Sequence, residues 1–463
     1  MSARLRTQTL IGMLAVCLPA ALPAQPVDVD QVQVEGTGAR FDEAFGDLKA
    51  ETIAQPVVQP LPGQVDENGQ PLPEVQQWNV IDARALYLTL AGIGAEGLDP
   101  ADYQIDQLLQ AIEGGPGDEL NEIASRAFRW LVEDLRDGRT PMDSRKQWFV
   151  VDPDRDRFPT ARLMADALEN HDVAGVVALL EPSHPDYAAL REALAGTPPE
   201  DKERIALIRA NMDRWRWLSR DLGQQYLITN VPEFQLRLTV KDQIIRTYRT
   251  IVGKPGKSAT PQLAEIVEGV IFNPTWTVPQ SIVKGEGLGA RVLNNPAWAR
   301  AQGYTATRGE NGYVSVVQQP GPANSLGLMK LDMPNPHAIF LHDTPSRQLF
   351  QRDERALSHG CIRTERALEL GLTMAILGGT DKDEAVAIST SGKYTRVPLE
   401  KTFPVYITYF TMGRDIEGKL KTFEDIYDRD APVLASLSAP RMANRARETS
   451  EEIVEIVDDL QDS

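Results

Sequence analysis

The hydrophobic periodicity of this chain changes near Tyr226, and this change limits the folds open to it. Before Tyr226, apolar residues recur every three or four positions, a spacing that indicates amphipathic helices. One such stripe consists of Leu120, Ile123, Ala127, Leu131 and Leu135 and is followed by Gly138, and another runs from Ile205 to Leu218. After Tyr226, apolar and mostly polar residues alternate, as in Phe234–Val240, which indicates half-buried strands. The two patterns occupy separate halves, so the sequence predicts a multidomain α+β protein with a helical domain followed by a mainly β domain.

The composition of the remaining segments completes the predicted domain organisation. A Pro-, Gln- and Gly-rich stretch without periodicity indicates a flexible arm, and the charge after Pro432 indicates an acidic tail. A long Gly-, Asn- and Pro-rich insertion interrupts the β half, where it indicates a lid or active-site loop, with a disordered surface loop as the alternative. The predicted boundaries are 1–25 for a signal segment, 26–80 for the arm, 81–222 for the helical domain, 223–430 for the β domain, 285–327 for the insertion and 431–463 for the tail.

The first 25 residues resemble a secretory signal segment. Arg4 and Arg6 supply a charged start, Leu10–Leu18 is an apolar run, and small alanines follow it. The run is too short to span a membrane as a helix. Export to the periplasm or cell envelope is therefore expected, with either cleavage or an uncleaved anchor.

A formal net charge of −18 argues against a nucleic-acid partner, which requires a basic surface.

Cysteine usage singles out one thiol. The chain has two cysteines, and Cys17 lies inside the predicted signal segment. The mature chain therefore keeps only Cys361 and can form no internal disulfide. A lone thiol in an oxidising compartment is a liability unless it is buried or used.

The residues around Cys361 are those that a nucleophilic thiol requires. They read Ser358-His359-Gly360-Cys361-Ile362-Arg363. A cysteine attacks a carbonyl as the thiolate, so it needs a nearby base and donors for the oxyanion. Gly360 permits a sharp turn that aims consecutive N–H groups at one point. Thr364 is predicted to cap a helix that ends at Gly378-Gly379 and places its positive dipole end near the sulfur.

A histidine is the expected base. Three of the five histidines, His337, His342 and His359, lie within 23 residues just before the cysteine. On the predicted strand Ala338–His342 side chains alternate, so only one of His337 and His342 faces Cys361. His342 is favoured because it ends the strand beside the turn Asp343-Thr344-Pro345, whereas His359 is placed to shape the loop.

Three competing interpretations of this cluster are weaker. A zinc site requires three or more ligands, and a His-Gly-Cys cluster with one further histidine is too small a set. A papain-like peptidase places its cysteine before the histidine, whereas here His342 precedes Cys361 by 19 residues. An inert core cysteine with chance histidines nearby is the third interpretation.

The cluster and its surroundings resemble the L,D-transpeptidases, in particular the larger members that carry a scaffold domain. The resemblance consists of a histidine, a 15-residue gap and then Ser-His-Gly-Cys. Further matching stretches are Asn211-Met212-Asp213-Arg214-Trp215-Arg216-Trp217, Asn230-Val231-Pro232-Glu233-Phe234, Asn273-Pro274-Thr275-Trp276 and Leu341-His342-Asp343-Thr344-Pro345. It extends from about Asp82 to Asp430.

This resemblance implies an activity and roles for the residues. Cys361 would attack the carbonyl between the third and fourth residues of a donor tetrapeptide stem of peptidoglycan, with His342 as general base. The thioester would pass to the side-chain amine of a diamino acid on a neighbouring stem and form a 3-3 cross-link without ATP, metal or organic cofactor. His359 and Gly360 would belong to the oxyanion loop, and the 285–327 insertion would cap the site. The candidate substrate contacts are Ser358, Arg363 and Tyr304.

Two departures and two alternative functions accompany the resemblance. Many members have Asn where this chain has Arg363, and Asp186–Arg209 is too short to contain the peptidoglycan-binding module that larger members often carry. A thiol hydrolase of the same fold, which would pass the acyl group to water, is one alternative function. A non-catalytic wall-binding scaffold is the other.

Overall fold

The computed structural model of the protein describes residues 72–150, 157–241, 243–285, 287–309 and 312–452. The predicted signal segment, most of the predicted arm and the acidic residues after Glu452 lie outside the described residues. Within the described ranges, no helix combines the length and the apolar character needed to cross a membrane.

The first part of the fold is helical. The first helix begins where Asn79 accepts hydrogen bonds from the N–H groups of Ile81 and Asp82. The predicted 120–135 stripe lies on another helix, which ends at Gly138, where φ is +83°. The elements are α1 Val80–Gly92, α2 Ile105–Gly114, α3 Asp118–Asp137, β1 Trp148–Phe149, α4 Thr160–Glu169, α5 Val173–Ala178, α6 Pro185–Gly196 and α7 Lys202–Arg216. Apolar side chains from α1 to α5 form one core, which begins at the buried Trp78.

The second part of the fold is a ten-stranded mixed sheet with two helices packed against it. Its elements are β2 Gln225–Asn230, β3 Gln235–Val240, β4 Gln243–Gly253, β5 Gln262–Phe272, β9 Met329–Asp332, β10 Leu341–His342, β11 Ala356–Ser358, β12 Ile362–Thr364, α11 Ala367–Leu377, α12 Lys382–Thr390 and β13 Thr395–Thr408. The strand order is β1-β5-β13-β2-β3-β4-β12-β10-β9, and β11 pairs with β4. β9 also pairs with β5, so the path of strands returns on itself around a second core. The predicted α+β fold class is confirmed.

A small unit with its own core is inserted between β5 and β9. It contains β6 Trp276–Thr277, α8 Gln280–Gly285, α9 Leu288–Asn294, α10 Pro296–Ala301, β7 Tyr304–Arg308 and β8 Val314–Gln318. Its core includes Val278, Val283 and Val292. The unit therefore begins at Trp276, earlier than the predicted 285–327 insertion, because β6 pairs with β8. We call it the insertion unit.

The C-terminal segment joins the two main parts. It follows the hairpin of β14 Met412–Arg414 and β15 Leu420–Thr422 and contains α13 Asp430–Ser438, on which Val433 and Leu437 are buried. The next residues bury two arginines against the helical part. Arg441 contacts the fully buried Asp134 at 3.0 Å and Arg445 contacts it at 2.6 Å. The described part of the predicted acidic tail therefore packs against the helical part, and its apolar and basic residues make the contacts.

The contact between Arg441 and Asp134 gives a stability prediction. Arg441→Met removes one cationic partner from a carboxylate that has no access to water, and breaking such a buried pair costs roughly 3 kcal/mol. Urea unfolding should show a lower midpoint for Arg441→Met. Lys419→Met is the matched control, because Lys419 and Glu417 form an exposed pair, and its midpoint should not change. Equal midpoints for the two variants would contradict this account.

Candidate active site

The sheet brings His342 and Cys361 to one face. β10 and β12 are parallel neighbours, with Leu341 opposite Ile362 and His342 opposite Arg363. Alternation along the strand then places Cys361 on the same face as Arg363 and His342. Two strands about 4.8 Å apart with an offset of two residues leave the Cβ atoms of His342 and Cys361 roughly 8 Å apart. The imidazole and the thiol can bridge that distance.

The hydrogen bond of the His342 ring defines its tautomer. The Nδ1 atom lies 2.5 Å from the carbonyl oxygen of Asp343, and a carbonyl only accepts hydrogen bonds. Nδ1 therefore carries the proton, and the lone pair of the neutral ring is on Nε2. Burial, assisted by the positive charges of Arg363 and Lys330, lowers the pKa of His342 to about 3. The ring is neutral at physiological pH and able to accept a proton.

The loop that carries Cys361 is fixed by buried hydrogen bonds. Gly360 has a φ of +124°, which favours glycine, and its N–H donates to the Ser358 hydroxyl at 3.1 Å. The Ser358 hydroxyl donates in turn to the carbonyl of Cys361 at 2.6 Å. The fully buried Thr260 donates to the Gly360 carbonyl at 2.8 Å and accepts from the N–H of Gly253 at 2.9 Å. The Cys361 thiol donates to the carbonyl of Ala338 at 3.6 Å.

The structure changes three of the sequence-based assignments around this loop. Ser358, a predicted substrate contact, is 2% exposed and uses its hydroxyl within the loop, so it shapes the loop instead. Thr364, the predicted helix cap, is a buried residue of β12, and the helix begins only at Ala367. A helix dipole acts over about one turn, so its effect at the sulfur is smaller than the sequence suggests. His337 packs its ring against Phe149, with 4.3 Å between centroids, which leaves His342 as the histidine on the face of the cysteine.

Three other residues were predicted for the site. His359 is exposed beside Gly360, and Arg363 lies on β12, opposite His342. Tyr304 lies in the insertion unit, half-buried and stacked on Trp298 with 5.6 Å between ring centroids. Its contact with substrate remains a prediction.

Asp343 connects His342 to the base of the insertion unit. Its carboxylate accepts a hydrogen bond from the N–H of Leu328 at 2.9 Å, and its own N–H donates to the carbonyl of Met329 at 2.8 Å. Gly327 allows this approach: its φ is +64°, and a Cβ there would lie 2.4 Å from the Asp343 carboxylate. The residue whose carbonyl orients His342 is therefore held by the chain that leaves the insertion unit.

Sequence reasoning did not assign roles to Thr260, Lys330 or Asp343. Thr260 and Lys330 are far from the cysteine motif in sequence, and no local pattern distinguishes them. The sequence places Asp343 in the turn directly after His342. That position is the available signal, since the residue after a histidine is well placed to orient its ring.

Two family models match the chain. Residues 224–374 match the L,D-transpeptidase catalytic domain, YkuD, and residues 77–194 match the Scaffold domain. The first match contains both His342 and Cys361. The chain therefore contains a scaffold domain followed by an L,D-transpeptidase catalytic domain.

Individual relatives are distant. A Haemophilus influenzae protein described as a "Putative L,D-transpeptidase" is 24% identical over 326 residues, which are 67% of this chain and 63% of that protein. The chain thus matches less than two thirds of the length of this relative. Among solved structures, an L,D-transpeptidase from Mycobacterium smegmatis shares 13% identity over 40% of this chain and 58% of its own, with a TM-score of 0.21. L,D-transpeptidase 1 of Mycobacterium tuberculosis shares 11% identity over 40% of this chain and 61% of its own, with a TM-score of 0.19.

Gly327 provides a test of the connection through Asp343. Gly327→Ala adds backbone strain and a clash with the Asp343 carboxylate, so we expect a loss of roughly 3 kcal/mol in stability. Displacing Asp343 should also slow alkylation of Cys361 by iodoacetamide, because His342 loses its orienting carbonyl. Gly392→Ala is the control: its φ is +67° and nothing lies within 4 Å of the added Cβ, so it should cost only about 1 kcal/mol and leave alkylation unchanged. Equal alkylation rates in both variants would exclude this coupling.

Proposed function

We propose that the protein is an L,D-transpeptidase that forms 3-3 cross-links between peptidoglycan stem peptides through a thioester on Cys361. One observation carries the proposal: Cys361 shares a face of adjacent parallel strands with His342, whose Nδ1–H is held by the Asp343 carbonyl. This arrangement leaves Nε2 unprotonated on a ring that shares a face of the sheet with the thiol. The family match over 224–374 supports the reaction class.

In the first half of the proposed reaction, His342 Nε2 takes the thiol proton and the thiolate attacks the carbonyl between the third and fourth residues of the donor stem. The resulting oxyanion accepts hydrogen bonds from backbone N–H groups of the His359–Cys361 loop. The C–N bond then breaks, His342 returns its proton to the leaving amine, and the terminal D-residue departs. The acyl group remains on Cys361 as a thioester.

The second half reverses the proton transfers. The side-chain amine of a diamino acid on a neighbouring stem attacks the thioester, and His342 removes a proton from that amine. Collapse of the tetrahedral intermediate forms the cross-linking amide and returns the proton to the sulfur. Because Gly360 already donates its N–H to Ser358, its part in the oxyanion loop requires that bond to be shared or released. The proposed cycle uses no metal or organic cofactor.

The proposed setting is the periplasm or cell envelope. The N-terminal charge and apolar pattern supports export, and the presence of one thiol after removal of a signal segment suits an oxidising compartment. The insertion unit supports transfer over hydrolysis in this proposal. The chain that leaves this unit holds Asp343 beside His342, and in this proposal the unit limits the access of water, which competes with the acceptor amine.

Product analysis tests the proposed function. Purified protein incubated with disaccharide-tetrapeptides should yield cross-linked dimers that have lost one terminal D-residue per bond, detected by mass spectrometry. Cys361→Ala should yield neither dimers nor the acyl adduct in intact-protein mass spectra, while its unfolding midpoint remains near that of the parent protein. Tripeptide monomers without dimers would contradict transpeptidation and identify the hydrolase. Unchanged activity of Cys361→Ala would exclude the assigned nucleophile.

A further inference from the structure

The orientation of the Gly360–Cys361 peptide bond is set by a buried side chain. The hydroxyl of Thr260, which is fully buried, donates to the Gly360 carbonyl at 2.8 Å. The peptide bond is trans, and a trans peptide is planar with its C=O and N–H groups directed to opposite sides. Because the carbonyl is directed towards Thr260, the N–H of Cys361 is directed away from it. The direction of this N–H therefore depends on the hydrogen bond at the other end of the same peptide.

The direction of the Cys361 N–H matters because the proposed reaction needs donors for an oxyanion. Within the loop, the N–H of Gly360 already donates to the Ser358 hydroxyl at 3.1 Å. The oxyanion oxygen is bonded to the carbon that the sulfur attacks, so a donor on the residue of the nucleophile is within reach of it. The hydrogen bond accepted by the Gly360 carbonyl also polarises the peptide and strengthens its N–H as a donor.

Thr260 is held in turn by its own neighbours. Its hydroxyl accepts from the N–H of Gly253 at 2.9 Å, and its N–H donates to the Tyr427 hydroxyl at 3.3 Å. Its carbonyl accepts from Arg429 at 3.3 Å. The Tyr427 hydroxyl donates to the Gly253 carbonyl at 2.5 Å, and burial raises the pKa of Tyr427, so the hydroxyl keeps its proton. These hydrogen bonds fix both the backbone and the side chain of Thr260.

The support of Tyr427 extends to the helical part of the fold. Its N–H donates to the Tyr409 hydroxyl at 2.8 Å, and the two rings are stacked with 5.6 Å between centroids. Arg214 on α7 lies 5.5 Å from the centroid of the Tyr409 ring. A continuous series of contacts therefore leads from α7 through Tyr427 and Thr260 to the loop that carries the nucleophile.

We propose that Thr260 is a positioning residue for oxyanion stabilisation and that Tyr427 holds it in place. Thr260 directs the Cys361 N–H to the oxyanion by holding the Gly360 carbonyl on the opposite side of the peptide. This inference rests on the proposed function, because it assigns a donor that the proposed reaction uses. Thr260 bonds to the peptide and not to the thiol. Its loss should therefore slow steps that form an oxyanion and spare steps that do not.

Two reagents separate these kinds of step. p-Nitrophenyl acetate acylates a thiolate through a tetrahedral oxyanion: the S–C bond forms, the C–O bond breaks and p-nitrophenolate leaves. Iodoacetamide alkylates the same thiolate at a saturated carbon and releases iodide without forming an oxyanion. Both reactions need the thiolate, so the ratio of their rate constants cancels any change in its formation. The rates measured with Cys361→Ala are subtracted as background.

Matched variants of the full-length protein give the expected result. Thr260→Val removes the hydroxyl and should lower the rate constant for p-nitrophenyl acetate roughly 30-fold, while that for iodoacetamide stays within about twofold. Thr260→Ser keeps a hydroxyl and should restore the parental ratio. Tyr427→Phe removes a single oxygen atom and should lower the ratio roughly threefold. Thr422→Val and Tyr394→Phe alter exposed side chains and are the controls that should leave the ratio unchanged.

An unchanged ratio in Thr260→Val would overturn the inference. So would an equal fall of both rate constants in Thr260→Val and in Tyr427→Phe, which would mean that these residues support the thiol or the fold as a whole. An unchanged ratio in Tyr427→Phe would remove Tyr427 from the assignment. The outcome is separate from that of the proposed function: a protein whose ratio depends on Thr260 but which forms no cross-linked dimers keeps the oxyanion assignment and loses the transpeptidase assignment.

Discussion

The hydrogen bond between His342 Nδ1 and the carbonyl of Asp343 is the interaction on which the proposed chemistry depends. It selects the tautomer with the lone pair on Nε2, and it uses a backbone atom that cannot be protonated at physiological pH. A carbonyl contributes less negative charge than a carboxylate, so burial and two nearby cations keep the resting ring neutral. Formation of the thiolate would supply the negative charge that allows His342 to hold the transferred proton.

Contacts from several parts of the fold hold His342, Asp343 and the Cys361 loop in place. Asp343 is fixed by the chain that leaves the insertion unit, and the Cys361 loop is fixed to β4 through Thr260. The β half packs in turn against the helical part through a shared apolar cluster that includes Trp215, Tyr406 and Phe410. The C-terminal segment adds buried ion pairs across the same junction. His342 thus lies on β10, and Cys361 lies in the loop directly before β12, whose register is set by its neighbours β4 and β10.

Sequence reasoning recovered what short-range patterns encode. The helix ending at Gly138 and the strand β3 follow from periodicity, and the expectation that only one of His337 and His342 faces Cys361 follows from alternation. Thr364 was misassigned because a capping residue before an apolar run also fits a short strand. Its pairing with Thr250 is a long-range contact that local sequence does not reveal.

The same limit explains the residues that sequence reasoning missed. Lys330 reaches the site only because β9 pairs with β10, and Thr260 reaches it because the loop after β4 folds back under Gly360. The predicted start of the insertion, residue 285, lies after the start of the insertion unit. Its first strand, β6, has only two residues, which are too few to show an alternating pattern. Acidic composition predicts a tail at the C-terminus. The ion pairs of Arg441 and Arg445 with Asp134 instead hold this segment against the helical part.

Nitrogen-15 NMR of the imidazole of His342, assigned by its absence in His342→Gln, tests the central claim most directly. In the resting protein, Nδ1 should carry the proton at neutral pH. Because burial lowers the pKa of His342 to about 3, the ring should remain neutral as the pH falls through 6.5 and begin to protonate only near pH 4. A proton on Nε2 at neutral pH, or titration near 6.5, would contradict the assignment of His342 as a base oriented by Asp343.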